Sequence, residues 1–578
     1  MTKFTLFIVS AVLGLLFSWT GISQTVPVGF PGLEDYYRRA QLMGKIDPTF
    51  SFTARPFNPV ETLHLTDPFD PDSTLVNNRM TDWNGTFRFW GGKGFFQVLP
   101  QTVIMAYKRP VPISMNDGAM IPAKGFQTLY TGGVYAKLGP LSIRFQPEFV
   151  YAENAKFNGF FQDHTDQTWK AYYNCYNYID LPERFGEGPY QRNYWGQSSI
   201  KLDFGPISFG LSNENLWWGP GYRNSLLMTN SAPGFKHLVL NTTRPIRTYI
   251  GNFEFQLVAG KLDSSGFYPA VLERNDLGEQ WILQKPNDWR YFNGIVLTYM
   301  PKWIPGLFLG ATRSFQMYSE TLNGKIYNYL PVILPMTQKN TEMEDERNGG
   351  RDQLASVFIR WLFLKEHAEV YFEYGREDRS ADFRDLYLDL SHSRAYNLGL
   401  RKLFPLNNKT NQQIEVIIEA TQLESLLTKR WKSYTQYVYT WYTHSQIRHG
   451  YTHLGQMLGA GIGPGSNLQT LSLSWVNGIK KIGLQVERYV HNTDLLENAV
   501  LDTRYRWVDF LVSAIGCWDY KNLIFTAQID GIQSINYQWF YNPTSRLSNY
   551  ITGKIGDYWA PGKDVFTLQA QLGVTYRF

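Results

Sequence analysis

The sequence predicts a single all-β architecture: a large antiparallel transmembrane β-barrel of the outer-membrane type, preceded by a short helical element. Three observations predict it. Aromatic residues make up 16% of the 578 residues, with 18 Trp, 37 Tyr and 38 Phe, yet the mean hydropathy is only −0.31. From Thr81 onward apolar and polar residues alternate with a period of two, the signature of a strand with two different faces. The chain closes on such a segment and ends at Phe578.

Composition excludes other classes. The net charge of +5 is small and unclustered, which argues against a nucleic-acid partner. A helical membrane protein carries several runs of about 20 apolar residues. Here one apolar run exists, at the N-terminus. Lys3, the apolar stretch Phe4–Phe17 and the small residues Gly21-Ile22-Ser23 before Gln24 read as a secretory signal over 1–23. Cys175 and Cys517 are too few for a disulfide framework, and their sequence separation leaves open whether they pair.

The predicted organisation is a signal peptide over 1–23, an N-terminal helical periplasmic segment over 24–80, and the barrel over 81–578. In the second segment, Leu33, Tyr36, Tyr37, Ala40 and Met43 share one helical stripe, with Gly44 placed to cap it. So short a helix needs something to pack on, and the barrel's periplasmic mouth is the expected support. In the barrel, Ile482, Leu484 and Val486 alternate with Gly483, Gln485 and Glu487. Val370, Phe372 and Tyr374 alternate with Glu369, Tyr371 and Glu373. The last segment sets Phe566, Leu568, Ala570, Leu572, Val574, Tyr576 and Phe578 against Thr567, Gln569, Gln571, Gly573, Thr575 and Arg577. Each segment runs for about ten residues, the length a tilted strand needs to cross a bilayer.

Turns complete the pattern. Leu138-Gly139-Pro140 links Gln127–Lys137 to Leu141–Glu153, Phe204-Gly205-Pro206 links the next pair, and Asn477-Gly478 is a two-residue hairpin signal. Further turns are expected at Pro301–Pro305, Lys365–His367 and Asp519–Asn522. Long polar connections such as Lys156–Gln191, Ser319–Arg351 and Ser425–Tyr434 lie between hairpins. Short turns at one end and long loops at the other belong to outer-membrane barrels, and candidate strands number roughly 16 to 20.

Four stretches break the alternation and are dense in Trp, Gly, Pro and Asn. They are Ile179–Gly186 leading to Trp195-Gly196-Gln197; Glu214–Gly221 continuing through Asn224–Asn230 to Phe235; Thr243–Ile246 entering Gly251–Lys261; and Gly450–Gly455 continuing to Ser466. These stretches resemble the Wzi family of capsule-assembly outer-membrane proteins, in particular its Bacteroidota-type branch. The run ENLWWGPG through NSLLM, APGF, RPI, FEFQL and GKL to SGF, over Glu214–Phe267, carries most of the likeness. GYTHLGQMLGAGIGPGS at Gly450–Ser466, the helix around DYYRR and Ser51–Pro56 carry the rest. The resemblance implies about 18 strands, an N-terminal helical element at the periplasmic end, and a lectin-like role in holding capsular or other surface polysaccharide.

The residues suggest how such a polymer is held. Trp217 and Trp218 beside a Gly-Pro-Gly turn offer flat faces for sugar C–H groups. Asn215, Arg223, Asn224, Asn230 and Arg244 offer directed hydrogen bonds, guanidinium geometry suiting uronate carboxylates. Tyr451 and His453 of the second motif complete the candidate set. The competing reading makes these residues the inner frame of a long connection folded into the lumen. Glu342, Glu344, Asp345 and Glu346 lack calcium-loop spacing, and His444, His449 and His453 lack zinc-site spacing. No metal or cofactor is expected. Glu214, His444 and Ser445 fit no catalytic motif, so no enzyme is expected. The expected partners are surface polysaccharide, outer-membrane lipids and, in one reading, other outer-membrane proteins, in the outer membrane of a Gram-negative bacterium. The alternatives are a subunit of a larger secretion or biogenesis complex, or a solute-transport porin.

Overall fold

The computed structural model describes residues 24–63, 65, 67–71, 75, 79–80, 83–273, 277–322, 329–333, 350–377, 393–406, 411–425, 440–499, 503–540 and 563–578. The expected signal over 1–23, the acidic loop at Glu342–Glu346 and most of 319–351 and 425–434 lie outside them. Among the described residues, no helix is long and apolar enough to cross a membrane.

One antiparallel sheet dominates. Five of its strands are interrupted and count here as single strands. The first four are β1 (Gly94–Val98, Gln101–Arg109), β2 (Gly125–Thr131, Val134–Leu138), β3 (Leu141–Phe145, Glu148–Ala152) and β4 (Tyr190–Tyr194, Ser199–Phe204). There follow β5 (Ile207–Ser212), β6 (His237–Thr242, Ile246–Arg247), β7 (Gly251–Leu262), β8 (Arg290–Pro301), β9 (Leu307–Tyr318), β10 (Asp352–Phe363) and β11 (Ala368–Glu377). The rest are β12 (Arg394–Pro405), β13 (Gln412–Gln422), β14 (Asn467–Asn477), β15 (Lys480–Val490), β16 (Val508–Tyr520), β17 (Leu523–Ile535) and β18 (Val565–Tyr576). Each pairs with its sequence neighbours, and β18 pairs with β1 from Leu568↔Arg109 to Tyr576↔Gln101. Among the described residues, the ladder of neighbours therefore returns to its first strand. A short strand, Thr86–Phe89, adds to the lower part of β1.

The segment Gln127–Lys137, read from sequence as one continuous strand, bends at Gly132-Gly133. A Cβ on Gly133 would stand 2.0 Å from the carbonyl oxygen of Phe145, so the bend admits only glycine there.

Burial follows the alternation with inside and outside exchanged. On β15, Ile482, Leu484 and Val486 are exposed while Lys481, Gln485 and Glu487 are buried. On β11, Val370 and Phe372 are exposed while Glu369, Tyr371 and Glu373 are buried. On β18, Phe566, Leu568 and Leu572 are exposed while Thr567, Gln569 and Thr575 are buried. An outer face of this kind is stable only against hydrocarbon, where each large side chain gains roughly 1.5–3 kcal/mol over water.

The two ends differ as expected. Short turns occur at Gly139-Pro140, Gly205-Pro206, 302–306, 364–367 and Lys521-Asn522, and all the long connections leave the opposite end. The hairpin between β14 and β15 differs in detail. Asn477 pairs with Lys480, so the loop is Gly478-Ile479, with positive φ at Gly478 only, the II′ pattern. The shift turns Ile479 inward, into the packing below.

At the short-turn end the N-terminal segment enters the lumen. Helix α1 (Leu33–Leu42) buries Leu33, Tyr36, Tyr37 and Ala40. It ends in a Schellman motif: Gly44 N–H donates to Gln41 O and Lys45 N–H to Ala40 O, each within 3.0 Å, with Gly44 at φ +69°. Its start packs on Ile479 and Cys517, which supplies the support a ten-residue helix needs. Helix α2 (Asp166–Tyr176) and helix α3 (Thr493–Ala499) pack together at the other end. Cys175 belongs to that cluster and Cys517 to the cluster around α1, and both are free thiols.

Candidate functional site: a plugged lumen beneath an aromatic cleft

The motif Glu214–Phe235 leaves β5 after only six strand residues and crosses the lumen. There it meets the N-terminal segment, with Trp217 paired to Arg55 and Trp218 to Ala54 in a two-strand ladder. Gly219, at φ +117°, donates its N–H to Thr53 O at 2.8 Å. The second motif closes on the first: Thr229 N–H donates to Leu458 O at 2.8 Å, and Tyr442 OH to Leu226 O at 2.7 Å. Around these contacts lies an apolar cluster that includes Trp218, Leu226, Leu227, Trp441, Tyr442 and Tyr451, resting on Phe292, Val296 and Phe358 of the wall.

Wall carboxylates hold the plug. Glu419 on β13 accepts backbone N–H groups from Tyr222, Arg223 and Asn224 and the hydroxyl of Tyr371. Glu373 on β11 accepts Leu226 N–H at 3.1 Å and Ser225 Oγ at 3.0 Å. Glu487 on β15 takes both arms of Arg223, at 2.9 and 3.0 Å. A loop without secondary structure carries unsatisfied N–H groups, and these side chains supply the missing acceptors.

The helix α1 is tied down by charge. Arg38 Nη2 donates to Glu369 Oε1 at 2.7 Å and to Pro220 O at 2.9 Å, while Arg360 Nε holds the other oxygen of Glu369 at 2.7 Å. Asp35 pairs with Arg39, Arg401 and Lys481. Burial opposes its ionisation, but those three cations outweigh it and hold its carboxyl well below the usual range. Glu214, the first residue of the motif, pairs with Lys201 and Arg144 and accepts the hydroxyl of Thr25 at 2.7 Å. Burial again opposes ionisation and the two cations prevail, so its carboxyl is held down at about 2.

The sequence-derived candidates fall into this frame. Trp218 is 0% exposed and donates Nε1–H to Gln256 at 2.6 Å. Trp217 is 4% exposed and lies under the guanidinium of Arg55 at 4.4 Å. Neither ring offers a free face, which corrects the expectation of sugar stacking at these two positions. Arg223 is spent on Glu487. Asn224 donates to Thr421 at 3.2 Å, and Asn215 donates to Asn230 Oδ1 at 2.7 Å and Ala232 O at 2.8 Å. Tyr451 stacks on Tyr442 at 5.8 Å and donates to Ser314 at 3.0 Å. His453 accepts Asp263 N–H at 3.1 Å, and burial together with Arg290, Arg192 and Lys261 lowers its pKa to about 3. Arg244 is the exception. It is exposed in the interruption of β6, at the short-turn end, remote from the others.

A cavity of about 250 Å³ lies above the plug among the long connections. Its walls combine Tyr176 of α2, Gly461–Pro464 of the second motif, and Tyr489, His491, Trp507 and Trp539. The rings form one block: Trp507 stacks on His491 at 3.5 Å and 7°, Tyr489 lies 3.7 Å beyond it, and Trp539 stands edge-on to Trp507 at 5.2 Å. His491 is oriented by Asp509 at 2.7 Å, and Trp507 Nε1–H by the same carboxylate at 2.8 Å. Glu183 also lines the cleft; burial pushes its carboxyl up to about 7. No lysine or arginine lines it among the described residues. Gly463 lines it at φ +74°, and its missing side chain would meet nothing within 4 Å.

Sequence reasoning placed Leu181–Glu183, Met457, Gly461–Pro464 and Ser466 of this lining within functional segments, but none of its aromatic residues. It treated Lys156–Gln191 as polar loop, although Trp169, Tyr172, Tyr173 and Tyr176 recur at helical spacing behind the cap Thr165, whose Oγ1 accepts Thr168 N–H.

An apolar exterior, short turns at one end with long connections at the other, and a filled lumen define a β-barrel of the outer-membrane class. Within that class the chain belongs to the capsule assembly protein Wzi family, whose family model matches residues 113–507. It is similar to the Escherichia coli outer-membrane protein Wzi, described as involved in group 1 capsule assembly and as a carbohydrate-binding β-barrel. Identity is 12%, coverage 96% of this chain and 100% of that one, and the TM-score 0.57. This likeness is one of fold. OccK7 of Pseudomonas aeruginosa (8% identity, 84% and 99% coverage, TM-score 0.38) and OccAB3 of Acinetobacter baumannii (9%, 83% and 99%, 0.37) are more distant. No protein of curated function matches the sequence.

Proposed function

We propose that this chain is a non-enzymatic outer-membrane barrel of a Gram-negative bacterium, exported by the signal over 1–23, with its long connections facing outward. There it holds capsular or other surface polysaccharide, and the aromatic cleft receives one sugar unit of that polymer. The cleft carries the reading. It is a pocket of single-ring size, walled by aromatic rings and polar side chains, on the outward side of a closed lumen. Aromatic faces and edges suit pyranose C–H groups, and the polar side chains of Ser114, Glu183, Asn492 and Gln538 in the lining suit hydroxyls. Trp217, Trp218, Asn215, Arg223, Asn224, Asn230, Tyr451 and His453 serve as the frame that fixes the floor beneath it. The lumen-filling cluster favours this reading over a solute pore. Deletion of the gene is expected to leave the polymer synthesised but shed into the medium. A deletion strain with a normal attached layer refutes the proposal.

A further inference from the structure

On the outer face of β9 to β12, three registered rows run across neighbouring strands. The lowest is aliphatic and aromatic: Leu309, Ile359, Phe372 and Leu398. The next is Ala311, Val357, Tyr374 and Tyr396. The third, nearest the long connections, is Arg313, Ala355, Arg376 and Arg394. The order from hydrocarbon to aromatic to guanidinium follows the depth profile of a membrane interface.

Within the arginine row, Arg376 and Arg394 set like charges side by side. Arg376 and Arg394 are direct cross-strand partners, which places their Cβ atoms about 5 Å apart. Like charges so placed destabilise a sheet. Among the described residues, neither forms an ion pair or hydrogen bond, and Nε and Nη1 of Arg376 are buried with no partner. Arg394 lies over the Tyr396 ring at 5.7 Å, and Arg313 over Phe315 at 4.7 Å, so aromatic faces hold both side chains in place. Inside the barrel carboxylates pair several buried arginines, as Glu369 does for Arg38 and Arg360. Outside, no carboxylate among the described residues pairs with Arg376 or Arg394.

We infer that this row binds the phosphate of an anionic glycolipid in the surrounding leaflet. Guanidinium forks grip phosphate oxygens in pairs, and an anion between Arg376 and Arg394 converts their repulsion into attraction. The acyl chains of such a lipid would lie against the Leu309 and Tyr374 rows below. The inference requires the barrel to span a bilayer but stands apart from the glycan reading, because it involves the outer wall and none of the cleft.

The test uses the purified full-length protein in detergent and native mass spectrometry. Three probes are compared: a bisphosphorylated, hexa-acylated diglucosamine lipid, the same lipid with its phosphates removed, and inorganic phosphate. The wild type is expected to retain the phosphorylated lipid at least tenfold more strongly than the dephosphorylated one. R376Q/R394Q should lose that preference, R376K/R394K should keep part of it, and R244Q/R247Q at the opposite rim should behave as wild type. Equal retention of both lipids, or unchanged retention by R376Q/R394Q, overturns the inference. Competition by inorganic phosphate at lipid-equivalent concentration overturns the lipid assignment in favour of an ion site. Folding is checked independently: without lipid, R376Q should unfold at the same temperature as wild type or higher, since it removes a repulsion.

Discussion

Glu369→Gln tests how the lumen is kept shut. The carboxylate stands between Arg38 of the helix α1 and Arg360 of the wall, at 2.7 Å from each, and all three side chains are at most 4% exposed. Glutamine preserves the volume and removes the charge, leaving two buried guanidinium groups facing each other. Stranding buried charge in this way costs about 3–5 kcal/mol. Asp35 still holds Arg401 and Lys481, so the helix should not be lost outright. The energy should appear instead as a shift between seated and released plug, roughly two to three and a half powers of ten. Planar-bilayer recording reads this directly, as a closed wild type against a variant with frequent openings. Proteolysis reads it independently, because residues 24–57 should become cleavable in Glu369→Gln. A variant as silent and as protease-resistant as wild type would refute the reasoning that this charge seats the plug.

Two further perturbations address the same frame. Gly219→Ala places a Cβ 2.2 Å from Ser225 Oγ and 3.1 Å from Glu373 Oε2, at a φ of +117°; the strain, on the order of 1–3 kcal/mol, should destabilise the plug and raise its hydrogen exchange while the strand ladder stays protected. Glu214 is more acidic folded, at about 2, than its ordinary 4.5, so its contribution is complete above pH 4.5 and declines as the pH falls towards 2. Thermal unfolding between pH 5 and 2 should show that loss, and Glu214→Gln should weaken the pH dependence across that window while lowering stability at pH 6.

The barrel was legible because its signals are local. Period two, a two-residue turn and a terminal aromatic each need only neighbours in sequence, and the exposed Ile482, Leu484 and Val486 follow from them. The helix α1 was legible for the same reason, its stripe and Gly44 cap lying within a dozen residues. The motif residues were found but their chemistry was not. Whether Trp218 faces solvent depends on Gln256 and Phe292, and whether Arg223 is available depends on Glu487, hundreds of residues away. Arg244 looked like a neighbour of Arg223 in sequence, yet a strand carries it to the opposite end. The cleft was least legible, since it draws residues from five connections and its helix α2 was hidden in a stretch read as polar.

One substitution tests whether a sugar unit sits in the cleft above the closed plug. Gly463→Asn suits a φ of +74°, which asparagine tolerates better than other side chains, and it fills space that is open in the wild type. Binding of the host cell's own surface polysaccharide is measured by calorimetry on purified wild type and Gly463→Asn, with heat-modifiable migration confirming that both are folded. Saturable binding by wild type and at least a tenfold loss in the variant are expected. Absence of binding by wild type, or equal binding by both proteins, would contradict this expectation.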